Sequence, residues 1–186
     1  MFEFRERKAT EAAARLLELG GGRMAYMKLI KLLYMADRQS LVETGFSITG
    51  DRMFSMEHGP VLSRLLNWLK REAHPSAAWR GMVSPPVGYD VDLVQPLPAA
   101  LATLSDYEID LLATVWSNYG HMDQFQLEKY LHDTLPEWVN PGKSSDPIEV
   151  ETILRAEGWT DDDIAAWSEE LNAASSMSRL LSGSVA

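Results

Sequence analysis

The stretch MAYMKLIKLLYMADRQSL, residues 24–41, restricts this chain more than any other. Met27, Ile30, Leu33, Tyr34 and Asp37 recur at helical spacing, and Leu29, Leu32 and Met35 widen the apolar face until little of the circumference is left for water. A helix that apolar is buried on most sides, so the other elements have to be arranged around it. One of them precedes it directly. ERKATEAAARLLEL, residues 6–19, is rich in strong helix formers and is stopped by Gly20, Gly21 and Gly22.

Downstream, residues 46–56 alternate apolar and polar side chains around Thr49, Gly50 and Asp51, which predicts two short strands joined by a turn. Pro60 suits the first turn of a third helix, expected from about Pro60 to about Glu72. Residues 73–98 hold five of the nine prolines and predict a surface loop with a short extended piece from Tyr89 to Val94. Ser105 and Glu108 form a capping-box pattern for a helix that ends at Gly120, and another helix follows from Asp123 to His132. Asp146 and Pro147 open a further helix through Glu157, and Thr160 with Asp163 starts the last one, through Asn172 or beyond, before a frayed end. The expected fold is mainly α: a compact helical domain over residues 1–158 with a small β-hairpin between helices two and three. An acidic C-terminal helix and tail, residues 159–186, is expected to pack on the same domain.

At 186 residues the chain suits one domain. The absence of cysteine excludes disulfides, thiolate metal sites and cysteine nucleophiles. The net charge is −10, unevenly spread: residues 1–80 carry 13 Lys or Arg against 9 Asp or Glu, whereas residues 81–143 and 144–186 each carry 2 against 9. Affinity for a polyanion depends on a dense cationic surface, so nucleic acid is disfavoured as the main partner. No apolar run approaches the roughly 20 residues needed to cross a bilayer, and the N-terminus lacks a signal peptide's apolar centre, so a cytoplasmic protein with no membrane partner is expected.

The sequence offers little conventional chemistry. His58 stands beside Glu57 and near Asp51, but no second histidine lies at ligand spacing. His121 and His132 flank one short helix, 11 residues apart, or about 16 Å along its axis, too far to share an ion. No serine-nucleophile elbow, phosphate loop or dinucleotide fingerprint occurs, so neither cofactor nor metal is expected. Lys28 and Lys31, with Arg38 further along the helix, make a cationic stripe open to two readings: a contact for an acidic partner, or a solvated face. Four tryptophans lie in the acidic half, and Trp167, on a helix with a strongly acidic face, has the best claim to an exposed anchor.

Residues 27–65 resemble the core signature of the Panacea domain, the SocA-like antitoxin domain, in the K-L-I-K-L-L-Y helix, the T-G-D turn and the H-G-P-V segment. The resemblance continues through LSDYEIDLL, HDTLPEW with Pro141, and SSDPIEVETIL, covering about Ala25 to Gly158. It implies a mostly helical antitoxin of a bacterial or phage toxin–antitoxin pair, without enzymatic activity. Lys28, Lys31, Tyr34, Asp37, His58, Gly59, Pro60, Val61, Pro136 and Trp138 match the motif. Leu32, Leu33 and Tyr34 in the helix are read as core and Gly59 and Pro60 as structural, with Asp37, Val61, Pro136 and Trp138 as further motif residues. Partner contact is assigned to His58 and to the cations Lys28, Lys31 and Arg38, with Trp167 outside the motif. The implied partner is a cognate toxin held by direct protein contact, with delivery to a cellular protease through the tail residues Leu180, Leu181 and Val185 as a second step. Two other readings compete: a hydrolase or nuclease centred on Asp51, Glu57 and His58, and a DNA-binding regulator using the helices between 106 and 133.

Overall fold

Ten consecutive residues, 29–38, are buried, nearly three turns with no face left to solvent. They belong to α2 (Tyr26–Thr44), and the remaining elements of the computed structural model form a shell around it. The structure describes residues 2–98 and 100–183, with side chains through residue 173. Helix α1 (Glu6–Leu19) packs on α2 through Ala9, Ala12, Ala13, Leu16 and Leu17, small and branched side chains that allow a close approach. Helix α5 (Asp106–Tyr119) packs on both, and α6 (Gln124–Thr134) and α7 (Val150–Ala156) also pack on α2.

Among the described residues, five short strands complete the fold. β1 (Arg23–Ala25) and β4 (Asp90–Asp92) pair antiparallel, with Met24 opposite Val91, within the stretch expected to be extended. A second sheet has the order β3-β2-β5, from β2 (Met53–Met56), β3 (Gly59–Leu62) and β5 (Ser145–Pro147). The chain is therefore mainly α with small antiparallel sheets.

The strands between α2 and α3 are displaced from the expected position. The turn falls at Glu57 and His58, and Gly59 to Leu62 form a buried strand instead of a helix start. Pro60 is tolerated because β3 lies at the sheet edge. Helix α3 begins only at Ser63 and ends at Leu69. Thr49, Gly50 and Asp51 form a connection held by carboxylates: Asp37 accepts the Thr49 N–H at 2.9 Å and the Thr49 hydroxyl, while Asp51 accepts the Arg64 and Leu65 N–H groups at 3.1 and 2.9 Å. Asp51 thus satisfies the free N-terminal donors of α3 from outside the helix, a service usually given by the N-cap residue itself. An alternating pattern cannot reveal that such a segment is tied to a helix in place of a strand.

Two further expectations need correction. Asp146 and Pro147 do not open a helix: Pro147 pairs with Phe54 in β5, and α7 starts at Val150. The loop at 73–98 contains a helix, α4 (Ala77–Met82), capped by Ser76 and anchored by the buried Trp79. The capping boxes at Ser105/Glu108 and Thr160/Asp163 form as expected. The last helix, α8 (Asp161–Gly183), continues into the residues expected to fray. Val185 lies outside the described residues, as do the side chains of Leu180 and Leu181.

Candidate functional site

Lys31, Tyr34, Asp37 and Arg38 of α2 are buried against protein, and Lys28 partly so. Lys28 donates to the Gly120 carbonyl at 2.7 Å and lies 4.9 Å from the centroid of the Trp116 ring, so its ammonium closes the C-terminus of α5, where cations are favoured. One turn on, Lys31 is fully buried and donates to the carbonyl of His58 in the hairpin turn. A further turn on, the Tyr34 hydroxyl donates to Glu137 Oε1 at 2.8 Å. Arg38 completes the row, donating to both oxygens of Glu137 at 2.7 and 3.2 Å and to Glu157 Oε1 at 2.6 Å. Asp37, on the neighbouring face, holds Thr49. One helix thereby secures the end of α5, the hairpin, the loop after α6 and the end of α7.

Lys31 and Arg38 were expected at the surface, and the structure corrects this placement: both are buried, and Lys28 is half-buried. The reason is the position of α2 at the centre of the fold, where a cation finds carbonyls and carboxylates from several elements. Tyr34 is core, as read from the sequence, together with Leu32 and Leu33. Val61 is buried in β3, Pro136 is exposed, and Trp138 stacks on His132 at 3.8 Å while donating its indole N–H to the Met56 carbonyl at 3.0 Å. Gly59 has φ +99°, and a side chain there would also run into Lys31, since a Cβ would lie 2.8 Å from Nζ.

His58 is exposed, its side chain retaining 64% of its accessible surface, and its Nδ1 lies 3.0 Å from Glu128 Oε1. Trp167 is not a free anchor. Its indole donates to the Gly45 carbonyl at 2.9 Å, and its ring meets Phe2 edge-on at 6.2 Å, which seats α8 on the C-terminus of α2.

Burial sets the electrostatics. Desolvation brings the Lys31 ammonium down to about 8, against the attraction of Glu128. Desolvation likewise pushes the Asp37 carboxyl up to about 7, although the bonds from Thr49 oppose it. Arg38 would be lowered by burial alone, but Glu137 and then Glu157 raise it, so its charge is secure. Tyr34 is raised well above its ordinary value by burial and by the adjoining Glu137 carboxylate.

The other two functional readings find little support in this geometry. Asp51 and His58 lie beyond opposite ends of β2, a strand about 10 Å long at ~3.3 Å per residue, and the Asp51 carboxylate is engaged by backbone donors, so the proposed triad with Glu57 does not converge. Helices α5 and α6 carry many more carboxylates than cations, unfavourable for phosphate contact. Among the described residues no group of three or more His, Asp or Glu side chains could hold a metal ion, and no helix is long and apolar enough to cross a membrane.

Sequence reasoning passed over the acids that complete the seam. Glu137 lies between Pro136 and Trp138, both of which it had singled out, and carries no pattern of its own. Glu157 and Glu128 read as ordinary surface acids at the end and middle of helices. A buried base on α2 was the available signal, since a buried cation needs a partner.

The family model for the antitoxin SocA-like Panacea domain matches residues 29–139. The chain belongs to this family. No curated protein and no solved structure matches it. The Panacea match begins with the buried part of α2 and ends one residue after Trp138, enclosing Lys31, Tyr34, Arg38, His58 and Glu137. Lys28, Glu157 and α8 lie outside it. The Panacea segment is therefore the part of the chain in which α2 is joined to the hairpin and to the loop carrying Glu137.

Proposed function

We propose that this Panacea-domain protein is the antitoxin of a toxin–antitoxin pair and neutralises its toxin by direct protein–protein contact. The family match over residues 29–139 carries the reading. Contact is assigned to exposed groups: the His58 turn and the acidic surface of the C-terminal part, where Asp161, Asp162, Glu169 and Glu170 face solvent. A toxin with a basic face would be steered to that surface by opposite fields. The buried Lys31 and Arg38 act in this reading by positioning the hairpin and the loop, and no catalytic step is assigned to them.

The test is co-expression with the protein encoded by the neighbouring gene. Growth should be restored in its presence, and the two proteins should co-purify at low salt and separate as salt is raised. Persistent toxicity, or rescue without a complex, would reject contact-based neutralisation. Delivery to a protease is a separate step, tested by the cellular half-life of the chain truncated after Asn172; unchanged turnover would remove it.

A further inference from the structure

A cleft of about 350 Å³ opens between α3, α4 and the segment that follows α4. Its floor is aromatic. Trp68 and Trp79 meet edge to face with centroids 5.1 Å apart, and the backbone at Pro75 and Pro85 makes stiff walls. Its charged groups have one sign: Arg71 and Arg80 line it beside His74, with no carboxylate among the lining residues. It belongs to the N-terminal part of the chain, where bases outnumber acids.

Both guanidiniums are held at the rim by single bonds to proline carbonyls, Arg71 to Pro86 at 2.9 Å and Arg80 to Pro75 at 2.5 Å. Each has five N–H donors, so most remain available, and the planar fork suits a carboxylate. Among the described residues no acid is paired with either. Arg71 also has φ +63°, the left-handed region that glycine occupies without strain and arginine does not.

The apolar surface continues beyond the cleft. Val87 and Tyr89 are 68% and 74% exposed on the adjoining ribbon, next to the Pro86 that Arg71 grips, and Tyr89 stacks on Tyr26. A small ligand would need the cleft alone; an exposed aromatic extension suits a longer chain with apolar side chains of its own.

We propose that this cleft is a docking site for an acidic peptide segment of a protein partner, one large apolar side chain entering over Trp68 and Trp79 while flanking carboxylates meet Arg71 and Arg80. The acidic contact surface assigned to toxin binding is a different part of the molecule, so either assignment can fail alone.

The probe is the peptide acetyl-Asp-Glu-Phe-Glu-Asp-amide, titrated into the full chain by calorimetry with the Trp68 and Trp79 indole N–H signals followed by NMR. Saturable binding that moves those two signals is expected, and the Asn/Gln analogue of the peptide should bind about tenfold more weakly or worse. Arg71→Gly is the informative variant, because it removes the side chain while relaxing the backbone: thermal stability should be kept or raised and affinity should fall about tenfold. Arg80→Gln should weaken binding similarly. Absence of saturable binding, equal affinity for the neutral peptide, or parental affinity in both arginine variants would overturn the proposal. Phenylacetate competing as tightly as the peptide would also overturn it, marking a site for small carboxylates.

Discussion

Arg38 and Glu137, 99 residues apart in sequence, form a two-pronged ion pair in which the Glu137 side chain is fully enclosed and Arg38 nearly so. The same carboxylate accepts the Tyr34 hydroxyl, so removing it leaves the phenol without its acceptor and the cation with Glu157 alone. Glu137→Ala should cost about 3 kcal/mol, because a buried cation loses its two-pronged partner and a buried phenol loses its acceptor. Arg38→Met combined with Glu137→Leu should recover much of that loss. Urea unfolding of the two single variants and the double variant checks both statements.

Leu33 and Trp167 should respond differently. Leu33 is buried at the centre of α2, and Leu33→Ala should lower global stability by about 2–5 kcal/mol. Trp167 seats a terminal helix, so Trp167→Ala should release α8 with little change in the main unfolding transition. Hydrogen exchange resolves the pair: α8 amides should lose protection in the tryptophan variant while α2 amides keep theirs.

Gly59→Ala meets two obstacles, a left-handed backbone and the Lys31 ammonium. A loss of about 2 kcal/mol is expected. In a Lys31→Met background the steric share should shrink while the backbone share persists, so the two substitutions should be non-additive in thermal melts.

The pH dependence has two windows of opposite sign. Asp37 in the folded state titrates near 7, above its unfolded value near 3.8, so the folded state holds the extra proton between them; this contribution is full below about 4 and is lost as pH rises through 7. Lys31 titrates near 8 when folded against 10.5 when unfolded, so its ionisation opposes folding below 8 and its contribution to stability grows between those values. Asp37→Asn should flatten the stability profile between pH 4 and 7, and Lys31→Met should flatten it between 8 and 10.5. Denaturant midpoints measured across pH give both slopes; parental slopes in the variants would reassign them to other groups.

Much of the helical framework was legible because its signals are local. The runs at residues 6–19 and 24–41 have composition and periodicity that admit little else, and Ser105 with Glu108 and Thr160 with Asp163 write their caps within four residues. The hairpin was misplaced because its register depends on contacts outside it: Asp37 draws in Thr49, Asp51 caps α3, and Lys31 holds the His58 carbonyl, each bond joining residues 12 or more apart.

The amino-acid order alone was enough to establish that an apolar helix must be enclosed by other helices, because hydrophobic periodicity and capping act over a few residues. Which way Lys28, Lys31 and Arg38 face was decided only in the tertiary structure. A cation on a helix is compatible with water or with a buried acceptor, and the choice depends on whether Gly120, His58 and Glu137 are brought within a hydrogen bond of it. The cationic cleft has the same origin, since Arg71 and Arg80 acquire a common aromatic floor only when α3 and α4 place Trp68 against Trp79.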